Sequence, residues 1–393
     1  MKLSFQQVES TGPRLTGLLA VLGVLLAGGA WAFFNMEHHG HIITGMNNQF
    51  VWGIPHVFAV FLIVAASGAL NVASIGSVFG KSEYKPYAPL SALLALALLL
   101  GGLIILLLDL GRPDRMIIAM THFNFKSIFA WNMFLYTGFM AIIAAYLWTS
   151  LVREGTAWNR PAGFLAFGWR IMLTTCTGSI FGFLVAREAY DSALYAPLFI
   201  TLSLAYGTAI FLIVLAAVMR ATGETVPPAM LSRLRGLLVT FIVAGLWFVA
   251  VLHLTNLYMT KHHGVVRFIL LDGGVITAMF WLGQVILGGL LPIALLTLPR
   301  MRESARATLV AAALVVLGGL AQMYVTIIGG QAYPQSLFPG YIESSSFFDG
   351  VVHFYQPSVF ELLLGLGGVA FAISILTVGL RLFRFAPHRL PAE

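Results

Sequence analysis

Apolar positions along this chain gather into ten long blocks, near 15–35, 52–79, 88–110, 128–152, 161–186, 196–219, 236–260, 270–298, 307–329 and 358–380. Charged residues and Pro/Gly-containing connections bound each block. A run of about 20 apolar residues is what an α-helix needs to cross the hydrocarbon layer of a bilayer. The pattern therefore predicts ten transmembrane helices, the fifth of them interrupted by Arg170. An even number of crossings returns both termini to one side. Residues 1–393 read as a single polytopic membrane domain, an all-α integral membrane protein.

The connections orient that bundle. Fifteen of the 22 Lys and Arg residues fall on the side of the termini, six on the opposite side, and Arg170 lies within a block. The positive-inside rule places both termini in the cytoplasm. Nine of the 15 acidic residues lean the other way, among them Asp109, Asp191 and Glu361, and so do nine of the ten histidines. The longer connections 36–51, 111–127 and 330–357 also lie on this outer face, so the function is expected there. The apolar run from Leu15 ends at an A-x-A form, Ala30-Trp31-Ala32, but exceeds the roughly 7 to 15 apolar residues of a secretory signal and reads as an uncleaved anchor.

Composition removes several classes. With 59% hydrophobic and 9% charged residues and a mean hydropathy of +0.90, a water-soluble fold is excluded. The net charge of +7 is dispersed over short connections rather than forming a stripe, which speaks against nucleic acid. Cys176 is the lone cysteine, so no intrachain disulfide, CxxC zinc site, CxxCH haem attachment or cysteine-ligated iron–sulfur cluster is available. A bis-histidine haem is disfavoured, because His56 and His253 are the only candidates near helix interiors. No phosphate loop, HExxH or nucleophile elbow is present, and the paired glycines inside the blocks read as close-packing positions.

The polar residues that remain carry the candidate chemistry. Asp109 ends the run Leu103–Leu108 and is followed by Gly111-Arg112-Pro113-Asp114-Arg115, which stops the helix where the chain leaves the bilayer. It is either half of a helix-terminal salt bridge or a proton acceptor beside a quinol headgroup, since an acid next to hydrocarbon holds its proton more tightly and a nearby Arg opposes that. His56 follows Trp52-Gly53-Ile54-Pro55, after Asn47 and Asn48. These donors enter an apolar layer in which Phe50, Phe58 and Phe61 are placed to flank a quinone ring, while turn chemistry is the other reading of the asparagines. His122 to Lys126, ahead of Trp131-Asn132, is a candidate rim. His38, His39 and His41 are compatible with a metal but lack a carboxylate or thiol at a recognisable spacing, so no metal site is assigned. Arg170 is expected to snorkel to the cytoplasm rather than pair in the bundle. The connection 330–357, with no Lys or Arg and with Tyr333, Phe338, Tyr341, Phe347, Phe348, His353 and Tyr355, reads as a surface that docks a partner subunit, with simple lipid contact as the other reading.

Three elements together resemble the NrfD/PsrC family of membrane subunits of quinone-linked oxidoreductases: Leu108-Asp109-Leu110-Gly111-Arg112-Pro113, Gly45-Met46-Asn47…Trp52-Gly53, and Thr177-Gly178…Gly182…Ala186…Tyr190…Pro197. The resemblance covers roughly residues 40 to 330. The stretch Gly45 to Phe58 is most similar to the DsrP branch. It implies two four-helix bundles plus flanking helices and no haem or iron–sulfur cluster in this chain. It also implies menaquinone or ubiquinone as an exchangeable substrate near the periplasmic face. The implied partners are a periplasmic ferredoxin-like iron–sulfur subunit and the further cytochrome and iron–sulfur subunits of a DsrMKJOP-like complex in the bacterial inner membrane. Asn47, Asn48, Asp109 and Arg112 are the quinone-site positions this resemblance implies. His56 and His122 are added from the residues themselves, with Asp109 and His56 as the proton-handling pair. Two other readings use the same residues: a secondary transporter or proton conductor with Arg170, Asn71 and Gln284 at its midplane, and a passive anchor for a redox complex.

Overall fold

A computed structural model describes residues 3–9, 12–151, 156–335 and 351–389. Ten helices long and apolar enough to cross a membrane are present among them: α1 (Pro13–His39), α2 (Ile54–Ser77), α3 (Ser82–Leu108), α4 (Ile128–Leu151), α5 (Trp158–Gly182), α6 (Tyr195–Ala221), α7 (Pro228–Tyr258), α8 (Val275–Thr297), α9 (Ala305–Ala332) and α10 (Val359–Leu382). The apolar blocks predict all ten, with most ends within a few residues; α3 and α7 begin earlier, at Ser82 and Pro228, because their first turns carry polar residues outside the apolar runs. Proline occupies the first turn of several, at Pro13, Pro55 and Pro228, where its fixed φ suits a helix start and its missing N–H costs nothing.

Helices α2 to α5 pack as one four-helix bundle and α6 to α9 as a second. The α2–α6 contact joins them. At that crossing a Cβ on Gly68 would strike the carbonyl of Ser203, and one on Gly207 would strike the backbone of Gly68 and Ala69, so the two helices touch backbone to backbone. Helices α1 and α10 pair with each other outside the first bundle, with α10 against α2 and α3. The chain ends meet as a two-stranded antiparallel sheet, β1 (Leu3–Gln6) with β2 (Ala386–Arg389), which fits an even number of crossings.

Two features depart from the helical pattern of the sequence. Helix α2 breaks at Leu70, between Ile54–Ala69 and Asn71–Ser77. Ser91 of α3 repairs the break, its hydroxyl donating to the carbonyl of Ala69 (2.6 Å) and accepting from the amide of Ala73 (3.1 Å). Backbone groups freed in a membrane helix need such partners, because lipid offers none. Arg170 of α5 supplies the other repair. Its guanidinium donates to the carbonyl of Ser67 and to Oδ1 of Asn71, both at 3.2 Å, and lies 5.0 Å from the centre of the Phe167 ring. It is 2% exposed and does not snorkel. The broken helix gives it acceptors inside the bundle, which the sequence pattern alone does not display.

The second departure is π-helix, at Met279–Leu290 in α8 and Val325–Gly329 in α9. There Gly288 and Gly318 approach closely, and the amides of Gln284 and Gln322 face a cavity of about 30 Å³ between α6, α7, α8 and α9. Both amide atoms of Gln284 and Oε1 of Gln322 have no protein partner, in a space sufficient for one water. The two residues are therefore expected to behave as a coupled pair. Gln284→Leu removes two unpartnered buried atoms and is expected to leave the thermal stability of the detergent-solubilised protein unchanged or raised, whereas Gln322→Leu also removes the donor to Thr326 (3.1 Å) and is expected to cost about 1 kcal/mol. The double variant is expected to depart from the sum of the two; strict additivity would show that they do not share the space.

Candidate functional site: an apolar chamber ending at an Asp–His pair

A half-open chamber of about 670 Å³ lies at the first bundle, between the start of α2, the end of α3, α4 and α5, with Ile327 of α9 and Phe371 of α10 also on its wall. Its wall is aliphatic and aromatic, from Leu103, Leu107, Met140 and Ile180 to Trp52, Phe129 and Phe181. Trp52 stands at the junction of the bundles. Gln331 of α9 grips its backbone from both sides, Oε1 accepting from the Trp52 amide (3.0 Å) and Nε2 donating to its carbonyl (2.9 Å). Besides the exposed Thr137, two polar points interrupt the wall. One is His56; the other is the group Asn132, Tyr136 and Thr177, in which the Thr177 hydroxyl donates to Asn132 Oδ1 (3.2 Å) and lies 3.3 Å from the Tyr136 oxygen.

Chain geometry brings His56 to Asp109. Helix α2 starts and antiparallel α3 ends on the face opposite the chain ends, so residue 56, in the first turn of one, meets residue 109, the C-cap of the other. His56 Nδ1 lies 2.9 Å from Asp109 Oδ2, and the Asp109 side chain is only 1% exposed. The approach lacks the alignment of a settled hydrogen bond, so both carboxylate oxygens keep capacity to accept. His41 joins from the other side. Gly40, with φ of +76°, turns the chain out of α1 in a conformation that suits glycine. The 3-10 turn His41–Ile43 then sets His41 Nε2 at 3.0 Å from the Asp109 carbonyl and 3.9 Å from Oδ1.

A buried carboxylate that sequence reasoning counts only among the acids fixes this lead-in segment. Glu361, in the first turn of α10, is 0% exposed. Its Oε2 accepts from the amides of Gly45 (2.8 Å) and Ser358 (2.7 Å), and its Oε1 accepts from the Tyr355 hydroxyl. That hydroxyl in turn accepts from the Ile54 amide at the start of α2 (2.8 Å). Burial, then the Glu361 charge, pushes the Tyr355 phenol far above its usual range, so it stays a donor. A Cβ at Gly53 would collide with both side chains, which is why the approach to α2 needs glycine there. A Ser-x-x-Glu pattern at 358–361 ahead of an apolar run is the signal that could have found this N-cap.

The remaining candidate positions spread around the rim. Asn47 Oδ1 accepts from the amides of Gln49 and Phe50, both at 2.9 Å, which is turn chemistry, and Asn48 is exposed. Arg112 pairs with Asp114 (2.9 Å) rather than with Asp109, and that carboxylate holds its guanidinium above the usual range. His122 is exposed and bonded to Thr121. Phe50, Phe58 and Phe61 are not among the chamber's walls; Phe50 packs on Tyr355 and Phe61 on Tyr206 of α6. His38 stacks on Phe34, and His39 bonds the carbonyl of Asn35. Among the described residues no group of three His, Cys, Asp or Glu side chains is placed to hold a metal. His56 and His253 sit in different bundles, as do the Arg170–Asn71 contact and Gln284, so no shared midplane site gathers them. Of the proposed partner surface, Tyr355 is buried, and Phe338, Tyr341, Phe347 and Phe348 lie outside the described residues.

Known proteins are similar to this chain along nearly its whole length. An integral membrane subunit of an Hdr-like menaquinol oxidoreductase from Archaeoglobus fulgidus is 31% identical, over 100% of this chain and 99% of its own length. A putative dimethyl sulfoxide reductase membrane subunit from Halobacterium salinarum is 27% identical, over 95% and 92%. A selenate reductase subunit from Mesobacillus selenatarsenatis is 23% identical, over 93% and 91%. Residues 43–335, which run from the turn before α2 to just past the end of α9, match the family described as polysulphide reductase, NrfD, and the chain belongs to that family.

Proposed function

We propose that this chain is the quinone-reactive membrane subunit of a respiratory or sulfur-metabolism oxidoreductase complex, and that the chamber takes the headgroup of menaquinol or ubiquinone. The observation that carries the reading is a 670 Å³ apolar chamber with an unspent Asp–His pair at its end. Its volume lies within the range of about 300–1,000 Å³ typical of small-molecule sites, and aromatic walls with a few fixed polar groups suit a flat ring carrying two oxygens. Bound quinol supplies two electrons and two protons on oxidation. With Nδ1 turned to Asp109, His56 has Nε2 left to meet a quinol oxygen, and the carboxylate behind it fixes the tautomer and stabilises the imidazolium. Asn132, Tyr136 and Thr177 stand as the second polar point. Asn47, Asn48, Arg112 and His122 act, on this reading, at the rim.

The cation bias supports an inner-membrane orientation with both termini cytoplasmic and the chamber near the periplasmic face. Electrons then pass to or from a ferredoxin-like iron–sulfur subunit docked on that face. Exposed Ile42, Val351 and Phe354 on the connections there support a docked partner, within an assembly of the DsrMKJOP type with its cytochrome and iron–sulfur subunits. The test is a fluorescence titration of the chain in lipid nanodiscs with a quinol analogue. Saturable binding near one site per chain is expected, with affinity at least tenfold weaker in Leu103→Trp, which places an indole in the chamber where the ring would lie. Equal affinity in that variant would take the site out of the chamber.

A further inference from the structure

We infer that His41 is the outlet through which protons from this site reach water, by way of Asp109. The inference rests on the quinone reading above and adds a residue to it. Oxidation of a quinol breaks two O–H bonds and releases two protons and two electrons. The electrons leave to a one-electron iron–sulfur partner, and each proton needs a separate path. His56 takes a proton at Nε2 and must shed one before it can act again. The other polar side chains on the chamber wall are an amide, hydroxyls and an indole, none of them a base near neutral pH.

The only carboxylate paired with His56 among the described residues is Asp109, at 2.9 Å. Asp109 is sealed at 1% exposure and cannot itself reach water. On its far side, His41 Nε2 lies 3.9 Å from Oδ1, one small ring movement or one bridging water away, and the His41 side chain is 28% exposed. The three groups thus form a line from His56, on the chamber wall and itself 23% exposed, through a buried acid to His41 on the connection outside the chamber. Asp109 from α3, with His56 of α2 behind it, is the ionisable group that faces His41 most directly. An imidazole can take a proton at one nitrogen and release one from the other, and the 3.0 Å contact of Nε2 with the Asp109 carbonyl holds the ring within reach of that carboxylate. Run backwards, the same line delivers protons for quinone reduction.

The test uses the assembled complex in membranes. In the resting protein, exchange of the His56 ring N–H with water, followed by nitrogen-15 histidine NMR, is expected to slow at least tenfold in both His41→Ala and His41→Gln. Quinol turnover is expected to fall at least tenfold in both, with KM for the quinol analogue unchanged. Added imidazole is expected to restore His41→Ala. Glutamine keeps a donor toward the Asp109 carbonyl but carries no proton, so a wild-type rate in His41→Gln would reduce His41 to a positioning contact and overturn the proposal. Unchanged His56 exchange in both variants, or no rescue of His41→Ala by imidazole, would also overturn it. Failure of the wild type to bind or oxidise any quinol analogue would instead remove the quinone reading itself.

Discussion

Asp109→Asn is expected to lower quinol-dependent turnover by about 100-fold or more while leaving the complex assembled and the KM for quinol nearly unchanged. The substitution keeps the shape of the side chain. It removes the carboxylate that lies 2.9 Å from His56 Nδ1, the acceptor that orients the imidazole and receives its proton. Assembly is expected to survive, because a neutral amide in a 1% exposed position costs less to bury than a carboxylate. Steady-state oxidation of a quinol analogue by membranes containing the complex measures the rate, and detergent-solubilised gel filtration measures assembly. Turnover at the wild-type level would remove Asp109 from the mechanism. A variant that neither assembles nor binds quinol would make it a structural residue.

Glu361→Leu is expected to have the largest effect on stability. It would leave three donors, the half-buried amides of Gly45 and Ser358 and the buried hydroxyl of Tyr355, without their acceptor. Each orphaned group costs about 1–3 kcal/mol, so the loss is on the order of several kcal/mol and is concentrated where α10 meets the segment leading into α2. That segment carries Trp52 to the chamber and His41 to Asp109, so its release is expected to weaken quinol binding together with thermal stability. Glu361→Gln keeps an acceptor of the same length and is expected to lose less than half as much. Thermal unfolding of the three proteins, read beside the nanodisc titration, checks both statements. Equal stability of the leucine variant would mean that the three donors find other partners.

The fate of Arg170 shows where sequence reading stops. Its position inside an apolar block is plain in the sequence, but its partners are a carbonyl and an amide side chain exposed by a helix break at Leu70, about 100 residues earlier. No proline marks that break; the Ser67-Gly68 pair and Asn71 beside it are its only local signals, and small and polar residues also occur in spans that stay unbroken. The π-helical stretches in α8 and α9 are hidden for a similar reason. They keep the apolar character of ordinary helix and alter only the hydrogen-bond register, in a region where Gly288 and Gly318 bring two backbones together.

Asp109 and His56 are both legible as polar residues at helix ends on one face, but their pairing is not. Arg112 looks like the partner of Asp109, being three residues away, and Asp114 captures it instead. Ten membrane crossings, the common side of the termini and the family follow from the order of residues alone, because a bilayer filters segments by polarity and length. Which polar groups meet follows only from the folded chain. Those contacts are made between helix ends far apart in sequence, His41 and His56 with Asp109, Gly45 with Glu361, Trp52 with Gln331, and packing rather than periodicity sets them.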